Sequence, residues 1–346
     1  MDMTALTATA EEILKIKPDH PEKLFTYNNY VAEARSLRKK WHPDTCKHKD
    51  ADAVTARINV LFQEAERKIA NNTWSENAIF KFSANGTAFQ MKYKKHHEFE
   101  LGDMYIGDSK VIYVIKEDYK KLAGNSIKVI SSFKYANDAM KKEFERFLPV
   151  KSTHYAADCG NVIAVDKTKD LLLLQDVLNY YDDHKMPKKQ AMWVASSLYN
   201  IACFLEYNKI SHNAISPMNV FISPQYHSVA LLGGWWYARK HGEKLLGVPG
   251  HLINVFPKDI LAAKTADTKC DRLLIKGTTM ACLGDDTMSG SKLLTAPELP
   301  KGLVHWLRQP SSKTAIIEYK EWMEVLIAEL GPRKFIPYEL TVDDIY

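Results

Sequence analysis

Leu205-Glu206-Tyr207-Asn208-Lys209-Ile210-Ser211-His212-Asn213-Ala214-Ile215-Ser216-Pro217-Met218-Asn219-Val220-Phe221-Ile222 is the stretch on which the reading of the chain turns. The helical stripe Ala195-Leu198-Ala202-Leu205 runs out here. A polar loop led by His212 follows, and Val220-Phe221-Ile222 closes it as a short apolar strand. Upstream the texture is strand-like. Phe80–Ala84 meets Thr87–Met91 across Asn85-Gly86, a strong hairpin signal, and Lys110–Ile115 and Ser126–Ile130 read as further strands before a helix near Asp138 to Phe147. Downstream of Leu174 the chain is mainly helical, ending in the stripe Tyr319-Trp322-Met323-Leu326-Leu330. Strands first and helices after predict an α+β domain with a β-rich small lobe and a helical large lobe, not a parallel α/β sheet.

The central loop resembles the protein-kinase catalytic loop, His-Arg-Asp-Leu-x-Pro-x-Asn followed by an aliphatic strand, with His212, Pro217 and Asn219 in register. The catalytic aspartate position holds Ala214, which has no carboxylate to accept a substrate proton. Val229 to Ala238 stands in the place of Asp-Phe-Gly, so the magnesium position is Gly233 or Gly234. The resemblance further implies a phosphate loop at Gly102–Ser109 with Gly107, a phosphate-binding Lys128 and its partner Glu143, with Glu145 on another helix face. It also implies a structural Asp271 supporting the loop, and Phe256-Pro257-Lys258-Asp259 in the place of Ala-Pro-Glu; Ala296-Pro297-Glu298 is out of order. ATP or ADP is the ligand such a cleft would take, and no metal site is expected. The degenerate residues His212, Ala214 and Asn219 make a pseudokinase the first expectation. An atypical serine/threonine kinase using a displaced acid, Asp182 or Asp183, is the alternative, and a non-enzymatic interaction protein is the third.

Before the strands the chain reads as a helical hairpin. Tyr30-Val31-Ala34-Leu37-Trp41 forms one apolar stripe and Val54-Ile58-Leu61-Phe62-Ala65-Ile69 a second, with Asp50 or Asp52 placed to cap the latter. His42-Pro43-Asp44-Thr45 lies between them, proline marking the helix stop. From Arg35 to Lys49 six lysines and arginines face one acid, a local charge of +5 suited to orienting an acidic partner surface.

Leu37–Asp44 followed by Ile58–Ala65 resembles a J-domain of the DnaJ co-chaperone family. The resemblance implies that Arg35, Arg38, Lys39, Lys40, His42, Pro43 and Asp44 contact the ATPase domain of a DnaK-type chaperone and stimulate its hydrolysis. The family's leading helix is not visible, and Leu24-Phe25 is the expected substitute. As a whole the chain is similar to bacterial and phage J-domain–kinase fusions, which share a tail run present here as Gly331 to Phe335. The expected boundaries are 1–74 for the J-like domain, 75–98 for a β-hairpin connector, 99–335 for the kinase-like domain with lobes meeting near 175, and 336–346 for a tail.

At 346 residues, ~150 per domain gives roughly two domains. A hydrophobic share of 46% with 26% charged residues excludes global disorder. Five cysteines without a Cys-x-x-Cys pair speak against a disulfide framework or zinc ribbon. The start lacks a signal-peptide pattern, and the longest aliphatic run, Leu171–Leu174, is far too short for a membrane span, so a cytoplasmic protein is expected. The net charge of +5 does not by itself call for nucleic acid. The basic run Lys92, Lys94, Lys95, His96 and His97 reads as a solvated strand edge, and Trp235 and Trp236 as core aromatics. The client protein is left open.

Overall fold

Proline and apolar periodicity shape the first part of the chain. The computed structural model describes residues 7–71, 73, 74, 78–311, 313–332 and 334–346. The chain divides into two units, one of residues 1–98, 103–108 and 156–159, the other of 99–102, 109–155 and 160–346.

In the first unit, α1 (Ala10–Lys15) begins with a capping box. The Thr9 hydroxyl accepts the Glu12 N–H at 3.3 Å, and the Glu12 carboxylate accepts the Thr9 N–H at 2.8 Å. A leading helix is therefore present, although only six residues long. The Thr-x-x-Glu signature marks it, and it was missed because a single turn shows too little periodicity. Leu24 and Phe25 are buried beside it rather than in its stead. Next come α2 (Tyr30–Lys40) and α3 (Ala51–Ala70), where Ala34 and Leu37 meet Val54, Ile58, Leu61 and Ala65 in one core with Ile13 and Ile16. Strands β1 (Ile79–Ala84) and β2 (Thr87–Phe99) pair as a hairpin with Phe82 opposite Phe89. Asn85 and Gly86 carry the two positive φ angles, +50° and +76°, that a tight hairpin turn requires. The residues 75–77 at the expected joint lie outside the described ones.

A polar network ties these helices to β2. Lys68, fully buried, donates to the Asp19 carbonyl at 2.5 Å and pairs with Glu22 at 3.3 Å. His20 bridges Glu22 and the Lys94 carbonyl, both at 2.7 Å. With β3 (Gly102–Gly107) in place, Lys94 pairs with Asp108 at 3.1 Å, Lys95 with Asp19 at 3.3 Å and His96 with Asp103 at 2.8 Å. The basic run is thus largely paired and not a solvated edge, because its acids come from distant segments.

The second unit includes β4 (Lys110–Ile115), α4 (Lys120–Ser131), α5 (Asp138–Phe144), β5 (Ser152–Ala157, the last two residues of which belong to the first unit), β6 (Gly160–Asp166) and β7 (Leu172–Leu173). β4 and β6 pair antiparallel, Tyr113 opposite Ile163. The expected strand at Ser126–Ile130 is instead the end of α4. Five residues of that run fit either period, and only the wider window shows Ala123, Ser126 and Ile130 buried on one helix face while Ile127 and Lys128 face water. The rest is α6 (Leu174–Tyr180), α7 (Lys188–Tyr207), β8 (Ile210–Ser211), β9 (Val220–Ser223), β10 (Ser228–Leu231), β11 (Arg239–Lys240), α8 (Lys258–Ala263), α9 (Lys269–Cys282), α10 (Lys301–Arg308), α11 (Ala315–Leu330) and α12 (Val342–Ile345). The stripe of α7 is buried between α9 and α11, and Trp322 donates its indole N–H to the Ser196 hydroxyl at 2.9 Å. β10, β9 and β7 form a small antiparallel sheet in that order. The architecture is mixed, antiparallel strands first and a helical region after. No helix among the described residues is long and apolar enough to cross a membrane.

Candidate functional site

Two loops carry the residues singled out by the sequence, one in each unit.

In the first unit, Trp41 closes α2. Its N–H donates to the Leu37 carbonyl at 2.9 Å, its carbonyl accepts the Thr55 hydroxyl at 2.7 Å, and its ring is buried. Pro43 prevents the helix from continuing, so the chain turns out into solvent. The side chains of His42 and Asp44 are 52% and 85% exposed. His42 Nδ1 accepts the Asp44 N–H at 3.2 Å, and its carbonyl accepts the Cys46 N–H at 2.8 Å, so the turn is held by its own backbone and ring. Arg35, Lys39 and Lys40 are exposed. Arg38 lies back on the hairpin, donating to Asn59 Oδ1 at 2.7 Å with its guanidinium 4.3 Å from the Phe62 ring centre. Lys40 reaches the Ala8 carbonyl at 3.1 Å. Among the described residues Arg35 and Lys39 have no acidic partner, leaving their charge available to another surface.

The second loop is built inward. Asp271 on α9, 1% exposed, accepts the His212 N–H at 2.7 Å and the Asn213 N–H at 2.8 Å, one on each carboxylate oxygen. Burial pushes its pKa up to about 7 against the pull of those two donors. The His212 ring is fully buried, meets the Gly233 carbonyl through Nε2 at 3.0 Å and lies edge-on to Trp235 at 4.7 Å. Burial lowers its pKa to about 3, so it is a neutral brace. Asn213 adopts φ +63°, with its side-chain amide donating to the Ser211 and Tyr237 carbonyls, both at 3.1 Å. Ala214 is fully buried, and Asn219 donates to its carbonyl at 2.7 Å.

At Gly233 and Gly234, the glycines expected at a magnesium position, the packing leaves no room for a side chain. A Cβ on Gly233 would stand 2.5 Å from Asn219 Oδ1 and 2.9 Å from the Tyr113 hydroxyl. On Gly234, at φ +80°, it would stand 2.8 Å from His212 Cε1. Trp236 fills the space beside them, stacked on Phe99 at 5.3 Å and edge-on to Tyr113 at 5.1 Å, and α4 secures it as Asn125 donates to the Trp236 carbonyl at 3.1 Å. The sequence reading missed Phe99, Tyr113 and Asn125, because only tertiary packing brings them to the loop.

Several expected residues lie elsewhere. Lys128 is exposed on α4, not on a strand. Glu143, exposed on α5, faces Arg146 at 3.8 Å, and no ion pair joins it to Lys128 among the described residues. The strand that precedes α4 is β4, and Lys116, directly after it, is exposed. Gly107 ends β3, so the expected phosphate loop is mostly strand, and its two acids are engaged by His96 and Lys94. Asp183 pairs with Lys185 at 3.1 Å, which also reaches Glu298 at 3.4 Å. The tail run at Gly331 to Phe335 includes residue 333, outside the described ones.

No protein-family model and no curated protein matches the chain. Among solved structures it is similar to vaccinia related kinase 3, at 12% identity with a TM-score of 0.44, over 74% of this chain and 92% of that one.

Proposed function

We propose that the protein is a J-domain-type co-chaperone whose kinase-like half has lost phosphotransfer chemistry and serves as a partner-binding scaffold. The observation that carries the first part is the exposed His42-Pro43-Asp44 turn between the two helices of a hairpin, flanked by Arg35 and Lys39, which have no acidic partner among the described residues. An exposed rigid turn beside concentrated positive charge suits docking on an acidic surface, here the ATPase domain of a DnaK-type chaperone. The second part is supported by Ala214, by the glycines at the metal position and by the aromatic filling around Trp236. Phosphotransfer by an atypical kinase is the second reading. It is favoured by the intact Asp271 brace, which holds the loop in an ordered shape although no carboxylate remains at residue 214.

The test is single-turnover ATP hydrolysis by a DnaK-type chaperone. The parent protein is expected to raise the rate and His42→Gln to leave it at baseline; equal stimulation by both would reject the assignment. Incubation with radiolabelled ATP and a generic protein substrate is expected to transfer no label, and robust transfer would establish the second reading.

A further inference from the structure

Residues 336–346 run back along the helical region of the second unit and end beside the His212 loop. Gln190 donates to the Ile336 carbonyl at 3.3 Å, the Tyr338 and Tyr181 hydroxyls meet at 2.9 Å, and Leu340 is buried in the helical core. Thr341 and Asp344 form a capping box that starts α12, which packs on α6. The Tyr346 hydroxyl then accepts the Leu173 N–H at 2.8 Å and hydrogen-bonds Asp176, itself nearly buried. Leu173 pairs with Phe221 on β9, and the neighbouring Gln175 N–H donates to the Pro217 carbonyl of the His212 loop at 3.0 Å. The phenol therefore stands where β7 passes into α6, beside the residues that hydrogen-bond the loop.

We propose that α12 and Tyr346 form an intramolecular latch whose release opens this cleft to a nucleoside-class ligand. Leu173 offers a backbone donor to a ring nitrogen and Asp176 a carboxylate acceptor to a hydroxyl. In the closed state the single phenol satisfies both groups at once, accepting from one and donating to the other. Gly233 and Gly234 supply no metal ligand, so binding after release is independent of magnesium. The inference rests on the kinase-like reading of the cleft and not on the His42 loop.

Calorimetric titration with adenosine and with ATP, with and without Mg²⁺, tests it on the parent, on Tyr346→Ala and on a chain lacking 341–346, which keeps Leu340 and Tyr338. The parent is expected to give no heat up to millimolar ligand. Both variants are expected to bind at least tenfold more tightly, equally with and without Mg²⁺. Equal binding by parent and variants, or none by folded variants, overturns the latch. If both variants unfold, Tyr346→Phe decides, because it keeps the ring and removes both hydrogen bonds. Its Leu173 amide is expected to exchange with solvent at least tenfold faster than the parent's, and unchanged protection overturns the proposal. Chaperone ATPase stimulation, expected to be unchanged in every variant, separates failure of the latch from failure of the co-chaperone reading.

Discussion

Two loops in this chain begin alike, with a helix ending and a histidine leading a short polar run, yet they are built in opposite senses. At His42 the side chains point to water and the backbone satisfies itself within the turn. At His212 the side chains point inward, and the backbone N–H groups depend on Asp271, a carboxylate 59 residues away. The first loop keeps its shape with few tertiary contacts and leaves its side chains to solvent. The second is fixed from outside and offers little to solvent. A histidine after a helix therefore says nothing of use until its burial is known.

The sharpest way to break this contrast is to remove the brace. Asp271→Ala leaves two buried N–H groups without an acceptor and should cost about 3 kcal/mol or more, read as a lower urea midpoint. His42→Gln should change stability by less than about 0.5 kcal/mol, because nothing buried depends on the ring. Similar losses at the two positions would erase the distinction.

Protonation sharpens it further. His212 falls to a pKa of about 3 when folded, so its contribution is full above the unfolded value near 6.5 and is lost as pH falls below that. Asp271 rises to about 7, so its protonated form favours the folded state at low pH, and that contribution is lost as pH rises from about 3.9 to 7. In the shared window from about 4 to 6.5 the two slopes oppose and nearly cancel. Asp271→Asn removes only the falling slope. Its stability relative to the parent should then rise by about 1.4 kcal/mol per pH unit across that window, measured by urea unfolding at three pH values. Parallel curves would mean that the pair does not titrate in this way.

What could be read from sequence follows the same division. α2, α3 and the Asn85-Gly86 hairpin were legible because periodicity and turn chemistry are local properties of the chain. The His212 loop and its dependence on Asp271 were legible only through resemblance, since no local rule links residues so far apart. Phe99, Tyr113 and Trp236 meet through tertiary packing alone, so the aromatic filling beside Gly233 and Gly234 was invisible. Ser126–Ile130 misled because so short an alternation suits a strand or one and a half helical turns equally well.

A smaller effect is expected at the glycines. Gly234→Ala forces a side chain onto φ +80° and toward His212 Cε1, which should cost about 1–3 kcal/mol. The paired change Ala214→Asp with Gly233→Asp should still transfer no phosphate, since Asn219 and Tyr113 occupy the space the new carboxylate needs. Label transfer by that double variant would show that the loop yields where the packing says it cannot.

The smallest effect should come from Lys128→Ala. The side chain is exposed on α4 and has no ion-pair partner among the described residues, while the face that packs is made by Ala123, Ser126 and Ile130. Alanine is the better helix former by a few tenths of a kcal/mol at most, so stability should stay within about 0.5 kcal/mol of the parent. In the unlatched Tyr346→Ala background the same substitution should leave adenosine binding unchanged, whereas Asp176→Asn should weaken it at least tenfold. Were Lys128→Ala to abolish binding instead, α4 would have to turn its solvent face toward the cleft. The hydrogen bonds of Asn125 to the Trp236 and Ala238 carbonyls, at 3.1 and 2.7 Å, hold it in the opposite sense.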